Sequence, residues 1–403
     1  MRYLVILLSL TLTTAVVAQS KMNSSEIGYV YDLEHEFLID HRVASENNSF
    51  KVFLKFTLNS GNVTIGDYRM TYDVRANYMA DKSVSSVVAL DSSNVIHTGF
   101  REFIYQFEFD RSEGQDLAVI EIYNIPKNRR FKYDIPLVQD GQTPPSFLIY
   151  DPLINIPYFN SYINRGTRVR FGNVFRNDAS FEINGRFSSS PIPMPPFDDT
   201  ARDLPNSVKI DTLYGAVQNE LFTFHTEGFY KVNTSEDRSK SIRILVADEY
   251  YPYFGQYKQM ISPLIFLSTS DEYKAMNSAD DDRTAFENFV QETISSNERV
   301  AKDFIKYYYR RIRKSARLFT EDREGWKTDR GMIYQIFGDP IQVFRNETTE
   351  LWVYTSSSGN RLRFTFDILN EDGIKKHRLL RGKRYREDWM TAVTQWRAGR
   401  IIE

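Results

Sequence analysis

The sequence REGWKTDRGMIYQIFGDP, residues 323–340, decides how the C-terminal part of this chain folds. Thr328 is a suitable N-cap for a helix that runs to Phe337, because its hydroxyl can accept a hydrogen bond from a backbone N–H of the first turn. Asp329, at the first helical position, complements the positive end of the helix dipole. The stretch therefore predicts a short helix that begins directly after Thr328.

The residues after this helix predict a turn and then strands. Gly338 and Pro340 stop a helix in the expected order, with Asp339 between them. Leu351-Trp-Val-Tyr354 and Leu362-Arg-Phe-Thr-Phe366 follow, and both alternate as half-buried strands do. Two helices are predicted before the stretch, from apolar residues at helical spacing between 286 and 319. The C-terminal region is therefore predicted to be α+β.

The polar residues of the stretch allow a structural and a functional interpretation. In the structural one, Trp326 anchors the turn in the core and Gly331 permits close packing. One of the arginines Arg310, Arg311 and Arg330 pairs with Asp329, Glu324 or Asp322. In the functional one, Arg330 and the backbone N–H groups of 328–331 bind an anion. The carboxylates of Asp322, Glu324, Asp329 and Asp339 would alternatively serve acid–base chemistry or a hard metal. We favour the structural interpretation, and the other two stay open.

The same residues carry a resemblance to a known family. The matching positions run from 286 to 366: Tyr307 to Arg311, Ala316, Phe319, Gly325, Trp326, Thr328, Asp329, Arg330, Gly331, Tyr334, Phe337, Gly338, Pro340, Trp352 and Tyr354. This set resembles the signature of the GWxTD-domain proteins, which are exported proteins of Gram-negative bacteria. The resemblance implies an exported protein with a strand-rich N-terminal region, and it assigns no reaction.

The order of elements in the C-terminal region also looks like that of the small lipoprotein subunit of the outer-membrane β-barrel assembly machine. A helix, a Gly-Asp-Pro turn, two strands and an Asp-Gly turn follow one another in the same order. A shared plan does not carry function by itself. It implies docking on outer-membrane assembly or secretion machinery as one option for this chain, and with it an association with the outer membrane.

The N-terminus predicts export. Residues 1–18 combine Arg2, an apolar run and a small-residue cleavage site before Gln19, which is typical of a secretory signal peptide. The chain contains no Cys, so we expect neither disulfides, nor Cys-ligated metals, nor a lipoprotein anchor at the mature N-terminus. We therefore expect a periplasmic protein, and export makes a nucleic-acid partner improbable.

Strand patterns divide the mature chain into domains. Phe103, Tyr105, Phe107 and Phe109 alternate with polar residues, as do several runs before and after them. We predict a β-sandwich-like domain over 19–141, a second β domain over 146–250, and a helical plus small-sheet GWxTD domain over 257–403. The fold class is thus multidomain, with two all-β sandwich-like domains followed by an α+β domain. Residues 188–197, SSSPIPMPPF, predict an extended loop.

Charge is uneven along the chain. Residues 300–403 contain 22 Lys and Arg against 14 Asp and Glu, although the whole chain has a net charge of −2. Arg310, Arg313, Lys314 and Arg317 are spaced so that they share one helix face. This face predicts contact with an acidic protein partner, and the alternative is an ordinary solvated surface.

These observations predict a non-catalytic periplasmic interaction or scaffold protein of the cell envelope. No catalytic residue can be named, because the sequence has no P-loop, dinucleotide fingerprint, zinc-protease motif or nucleophile elbow. For the same reason we expect no cofactor and no metal. The alternative hypothesis is an envelope enzyme that acts on glycan or peptide through the carboxylates near Trp326. The oligomeric state is not predicted.

Overall fold

The computed structural model describes residues 25–59, 64–78, 80, 87–138, 141–186, 192–198, 212–356, 359–371 and 374–400. The predicted signal peptide lies outside the described residues. Alternating strands build the first domain, and in chain order they are β1 (Ser25–Glu26), β2 (Phe37–Glu46), β3 (Ser49–Leu58), β4 (Tyr68–Arg75), β5 (Val88–Leu90), β6 (Val95–Thr98), β7 (Glu102–Asp110), β8 (Leu117–Asn124) and β9 (Arg129–Pro136). β2 to β9 form two four-stranded antiparallel sheets, ordered β2-β3-β7-β6 and β5-β4-β8-β9.

The first domain is a β-sandwich because each sheet has one apolar face. Val52, Leu54 and Phe56 of β3 alternate inward and are essentially inaccessible to solvent. They pack with residues such as Met70 and Ile120 from the opposite sheet in one hydrophobic core. The prediction of a sandwich-like first domain is confirmed.

A second pair of sheets follows. Its strands are β10 (Phe147–Asp151), β11 (Ile156–Pro157), β12 (Tyr162–Asn164), β13 (Arg168–Asn173), β14 (Ser180–Arg186), β15 (Thr212–Val217), β16 (Leu221–Thr223), β17 (Gly228–Thr234) and β18 (Ser241–Ala247). They form sheets of order β11-β10-β13-β16 and β12-β18-β17-β14-β15, with a shared apolar core. The two β domains contact each other through apolar residues of β3, β7 and β10, among them Phe53, Ile104 and Leu148.

The C-terminal domain is α+β, as predicted. Its elements are α1 (Tyr257–Ile261), α2 (Ser270–Asn277), α3 (Asp282–Phe289), α4 (Glu298–Phe319), α5 (Asp329–Phe337), β19 (Gln342–Arg345), β20 (Thr349–Thr355), β21 (Arg361–Glu371), β22 (Ile374–Leu379) and α6 (Arg386–Arg397). Trp352, Tyr354, Phe364 and Phe366 project from one face of the sheet into a core shared with the helices.

The N-terminal end of the described chain belongs to the C-terminal domain, which differs from the predicted boundaries. β1 pairs with β19, so the sheet has the order β1-β19-β20-β21-β22. Ile27 and Tyr31 are buried in the core of the C-terminal domain rather than in the first sandwich. Sequence periodicity could not show this, because two residues of strand carry no pattern of their own.

Part of the predicted proline-rich loop also packs on the C-terminal domain. Residues 192–198, here called the strap, are described, and Ile192 and Phe197 contact the C-terminal core. The N–H of Gly382 donates to the Pro196 carbonyl at 3.0 Å. The C-terminal domain therefore contacts two distant segments, the strap and the N-terminal segment 25–31.

Candidate functional site

The signature lies in the turn between α4 and α5. Thr328 is the N-cap of α5, as predicted: the Gly331 N–H donates to its hydroxyl at 3.0 Å, and that hydroxyl donates to the Gly325 carbonyl at 2.7 Å. Thr328 thus joins the helix start to the preceding 3₁₀ turn, Gly325–Lys327. Its side chain is fully used in this local contact.

Two glycines of the signature are required by close backbone contacts. A Cβ on Gly325 would lie 2.0 Å from the Ser315 carbonyl oxygen of α4. A Cβ on Gly331 would lie 1.9 Å from the Gly325 carbonyl oxygen. Both distances are far below van der Waals contact, so no side chain fits at either position. Gly325 therefore allows the turn to pack directly against α4, and Gly331 allows α5 to pack directly against the turn.

Trp326 is buried, with 2 % of its surface exposed, as the structural interpretation predicts. Its indole N–H donates to the Glu324 carboxylate at 2.5 Å, and the Lys327 ammonium lies over its ring. The Gln335 amide of α5 donates to the Trp326 carbonyl at 2.9 Å. Trp326 is therefore held by its own turn and by the next helix.

Asp329 has a stronger role than a contact with the helix dipole. Its carboxylate accepts two hydrogen bonds from the Arg381 guanidinium, at 2.5 and 3.1 Å, and one from the Leu379 N–H at 2.8 Å. Arg381 also donates to the Met194 carbonyl of the strap at 3.2 Å. Asp329 thus connects the start of α5 to the end of β22 and, through Arg381, to the strap.

Gly338, Asp339 and Pro340 form the predicted turn after α5. Gly338 has a φ of 81°, a left-handed conformation that glycine adopts without strain. The Asp339 carboxylate accepts a hydrogen bond from the Tyr334 hydroxyl at 2.5 Å and lies 3.8 Å from the Lys314 ammonium. Pro340 is buried. The turn is therefore tied to α5 and to α4.

Arg330 enters a buried charged cluster. This cluster, called the ion cluster below, consists of Tyr31, Glu321, Arg330, Arg345, Glu350 and His377. Arg330 donates to Glu321 at 2.9 Å and to the Tyr31 hydroxyl at 3.1 Å, and it lies 3.7 Å from Glu350. Only 7 % of Arg330 is exposed. Its partners come from both ends of the described chain.

Glu350 is the centre of the ion cluster and is completely buried. Its carboxylate accepts hydrogen bonds from the Tyr31 hydroxyl at 2.8 Å, the Trp352 indole at 2.7 Å and Arg345 at 2.7 Å. Burial alone would raise the pKa of Glu350, but the charges of Arg345 and Arg330 outweigh it and hold that pKa well below its ordinary value. Glu350 is therefore an ionised carboxylate inside the protein.

Glu321 and His377 behave differently from Glu350. Burial raises the pKa of Glu321 to about 7, although the neighbouring Arg330 opposes the shift. Burial, followed by the charge of Arg330, lowers the pKa of His377, so its imidazole is neutral. The His377 Nδ1 lies 3.1 Å from the Glu321 carboxyl group. The Glu321 carboxyl group and the His377 imidazole, whose pKa values are both shifted, thus lie in direct contact.

The acidic residues near Trp326 do not form the predicted pairs. Arg330 contacts Glu321 and Glu350 instead of Asp329, Glu324 or Asp322. Asp322 pairs with Arg323 and Lys376, and Glu324 with Lys327. Since each carboxylate has its own cation, they do not converge on one point. Among the residues that the structure describes, no group of three or more His, Asp or Glu is arranged to hold a metal ion.

The predicted anion site has lost two of its components to internal contacts. The Gly331 N–H is bonded to the Thr328 hydroxyl, and the Asp329 carboxylate occupies the same helix start. Arg330 points into the ion cluster instead of lying beside that helix start. The Gly331 N–H and the Arg330 guanidinium are therefore already engaged in internal contacts and do not form an anion site at residues 328–331.

The predicted basic face of α4 is partly used inside the protein. Arg317 pairs with Asp40 of β2, and Lys314 lies 3.1 Å from Glu34, so these two cations join α4 to the N-terminal part of the chain. The Arg313 guanidinium lies over the Tyr253 ring, and Arg310 is exposed. Two of the four cations on this face therefore pair with carboxylates of the N-terminal part of the chain.

A comparison with protein families gives a match to the C-terminal half of the chain. The family model of the GWxTD domain matches residues 228–398. The match covers most of the α+β C-terminal domain, here called the GWxTD domain, and also β17 and β18 of the second β domain. A comparison with curated proteins gave no match. In the part of the chain that the structure describes, no helix combines the length and apolar character that a membrane crossing requires.

Several residues that complete the GWxTD domain were missed by sequence reasoning. Tyr31 lies outside the matched range, yet its hydroxyl touches Arg330, Arg345 and Glu350. Glu321 stands two residues before the stretch 323–340, and its position could have marked it as a partner of Arg330. Nothing in the local sequence around Tyr31 indicates its partner, because the two are about 300 residues apart.

Proposed function

We propose that the protein is a non-catalytic interaction scaffold of the cell envelope, exported to the periplasm by a cleaved signal peptide. In this proposal the GWxTD domain holds the two β domains in one arrangement, and its outer surface binds an acidic segment of a partner protein. A component of outer-membrane assembly or secretion machinery is the partner class that we propose.

One observation carries the proposal: the polar side chains of the signature are engaged within the protein. Thr328 caps α5, Asp329 binds Arg381, Arg330 binds Glu321 and Tyr31, and Asp339 binds Tyr334. Through these contacts the signature meets the N-terminal segment and the strap. A catalytic site would keep such groups directed at a substrate. This arrangement supports a role in holding domains together.

The outer face of the C-terminal sheet offers a surface for the partner. A cleft of about 670 Å³ lies between β21 and the start of α6, and Arg361, Arg363 and Arg384 line it. Glu387 and Asp388 lie at the same cleft, whereas the exposed Lys383 and Arg386 are adjacent to it in the chain. The half-buried Leu351 adds apolar surface. Exposed arginines beside apolar side chains suit a partner segment that contains Asp or Glu.

The test is co-purification from envelope extracts, with the proteins identified by mass spectrometry. Arg361→Glu combined with Arg363→Glu should abolish the capture of a partner seen with the unchanged protein, because it reverses the charge of the cleft. Both residues are exposed, so the fold should be kept. The matched control is Lys306→Glu with Arg310→Glu on the exposed face of α4. Capture should also weaken as salt rises. Equal capture by both double variants would refute the cleft as the interface.

Location is tested separately, by cell fractionation and N-terminal sequencing. We expect a mature N-terminus at Gln19 and recovery from the periplasm. An uncleaved chain in the inner membrane would contradict the proposal.

The alternative, an envelope enzyme that uses the carboxylates near Trp326, has less support. Asp322, Glu324 and Asp329 are each paired with a different cation, so none is free to transfer protons. Turnover of glycan or peptide by the purified protein, lost in Asp329→Asn while the fold is kept, would restore this alternative.

A further inference from the structure

A cavity of about 450 Å³ lies where the two β domains meet the GWxTD domain. On the side of the second β domain, the cavity is lined by the apolar residues Leu148, Ile242 and Ile244 together with Arg243. Glu321, Arg330, Lys375 and His377 form a charged wall on the side of the GWxTD domain. The volume lies in the range typical of small-molecule sites, which are mostly apolar with a few placed polar groups. The cavity thus combines apolar surface with charged side chains.

Two buried polar atoms on the charged wall have no hydrogen-bond partner among the residues that the structure describes. They are Nε of Arg330 and Nε2 of His377, on side chains that are 7 % and 6 % exposed. The nearest carboxylate to His377 Nε2 is Glu350, at 3.8 Å, which is beyond hydrogen-bond reach. Buried polar atoms normally find a partner because leaving one unpaired costs about 1–3 kcal/mol. The charged wall therefore keeps hydrogen-bonding capacity that the protein itself does not use.

Charge on the cavity wall favours an anion. Among the described lining residues, four are cationic, namely Arg42, Arg243, Arg330 and Lys375, and Glu321 carries a carboxyl group. The Arg42 guanidinium is bonded to the carbonyls of His41, Tyr158, Phe159 and Asn160, which carry no net charge. Burial, followed by the charge of Arg345, lowers the pKa of Lys375 to about 8. A ligand anion would relieve this repulsion among cations.

We propose that this cavity binds a small organic acid, with its carboxylate against Lys375, Arg330 and His377 and its apolar part against Leu148, Ile242 and Ile244. The ligand contacts residues of more than one domain, so its binding also stabilises their relative arrangement. This inference does not depend on the scaffold function or on the arginine cleft.

The test uses the purified full protein and isothermal titration calorimetry with three probes. These are 3-phenylpropionate, its neutral amide 3-phenylpropanamide, and inorganic phosphate. The carboxylate should bind at least tenfold more tightly than the amide, because only the carboxylate carries the charge, and more tightly than phosphate, which lacks the apolar group. Equal affinity of the acid and the amide would overturn the proposal, and tighter binding of phosphate would show a simple anion site and overturn it as well.

Two variants locate the binding. Lys375→Met keeps the apolar stem of the side chain and removes its charge, and it should weaken 3-phenylpropionate binding at least tenfold. Lys306→Met, on the exposed face of α4, is the matched control and should leave binding unchanged. Phe229→Trp narrows the cavity with a half-buried aromatic residue and should weaken the binding of acid and amide alike. Melting temperature reports the folding of each variant. Unchanged binding in both folded cavity variants would place the site elsewhere and refute the proposal.

Discussion

The core of the first β-sandwich and the core of the GWxTD domain are built in different ways. In the sandwich, aromatic rings pack on one another, for example Phe37 on Phe56 at 4.9 Å and Tyr72 on Phe107 at 4.4 Å between ring centroids. In the GWxTD domain, comparable aromatic packing surrounds the ion cluster, in which Glu350 is fully buried. Apolar packing tolerates small rearrangements, whereas a buried charge without its partners is costly. The GWxTD domain therefore depends on more exact pairing than the sandwich does.

The largest expected effect is that of Gly325→Ala. The new methyl group would lie 2.0 Å from the backbone oxygen of Ser315, so either α4 or the signature turn must move. We expect a loss of more than about 4 kcal/mol in the free energy of unfolding, measured by urea denaturation, or failure of the domain to fold. Gly215→Ala in β15 is the control, because no atom of the described residues lies within 4 Å of its Cβ position. A loss below about 1 kcal/mol for Gly325→Ala would show that the close contact relaxes freely.

Glu350→Gln tests the ion cluster against an apolar core. Removing one partner of a buried ion pair costs about 3–5 kcal/mol, because Arg345 and Arg330 would remain buried without their carboxylate. Ile120→Val in the sandwich core should cost only about 0.5–1.5 kcal/mol. Both values come from chemical denaturation of the full protein. Equal losses would show that the ion cluster does not make the core of the GWxTD domain more sensitive to substitution than the core of the sandwich.

Asp329→Asn should have an intermediate effect. The variant loses the charge of a carboxylate that holds the Arg381 guanidinium and the Leu379 N–H, and hydrogen bonds to charged groups contribute about 1.5–3 kcal/mol. This exceeds what a contact with the helix dipole alone would give. Thermal unfolding measures the loss, and protease sensitivity near the strap should rise at the same time. A variant as stable as the unchanged protein would argue that Arg381 finds another acceptor.

The effect expected without any substitution is a pH dependence due to Glu321. Its pKa is about 7 in the folded protein and lies near its ordinary, lower value in the unfolded chain, so the fold favours the protonated form. This contribution to stability is fully present below the unfolded pKa and is lost as the pH rises through 7. The free energy of unfolding, measured between pH 5 and 8, should therefore decline as the pH rises. The Glu321→Gln variant should show a smaller decline. Identical slopes for the two proteins would contradict the shifted pKa.

The parts of this structure that follow from neighbouring residues were predictable. Alternation in β3 and β7 predicted the sandwich, and Thr328 with Gly338 predicted both ends of α5. The ion cluster was not predictable, because Tyr31, Arg330 and Glu350 meet only after the chain has folded. Arg317 shows the same limit: its helix face was correctly predicted to be basic, but its partner Asp40 lies on a strand of another domain.

The pairing of β1 with β19 has a consequence for the order in which the protein folds. A chain that emerges from its N-terminus delivers residues 25–31 first and their partners in β19 and β20 last. Contacts of such long sequence separation form slowly, because a large loop must close before they add stability. The Tyr31 hydroxyl is separated from Glu350 by 319 residues, so the ion cluster is completed only when nearly the whole chain is present. The GWxTD domain is thus the last part of the molecule that can reach its final form, although its sequence pattern is the easiest to recognise.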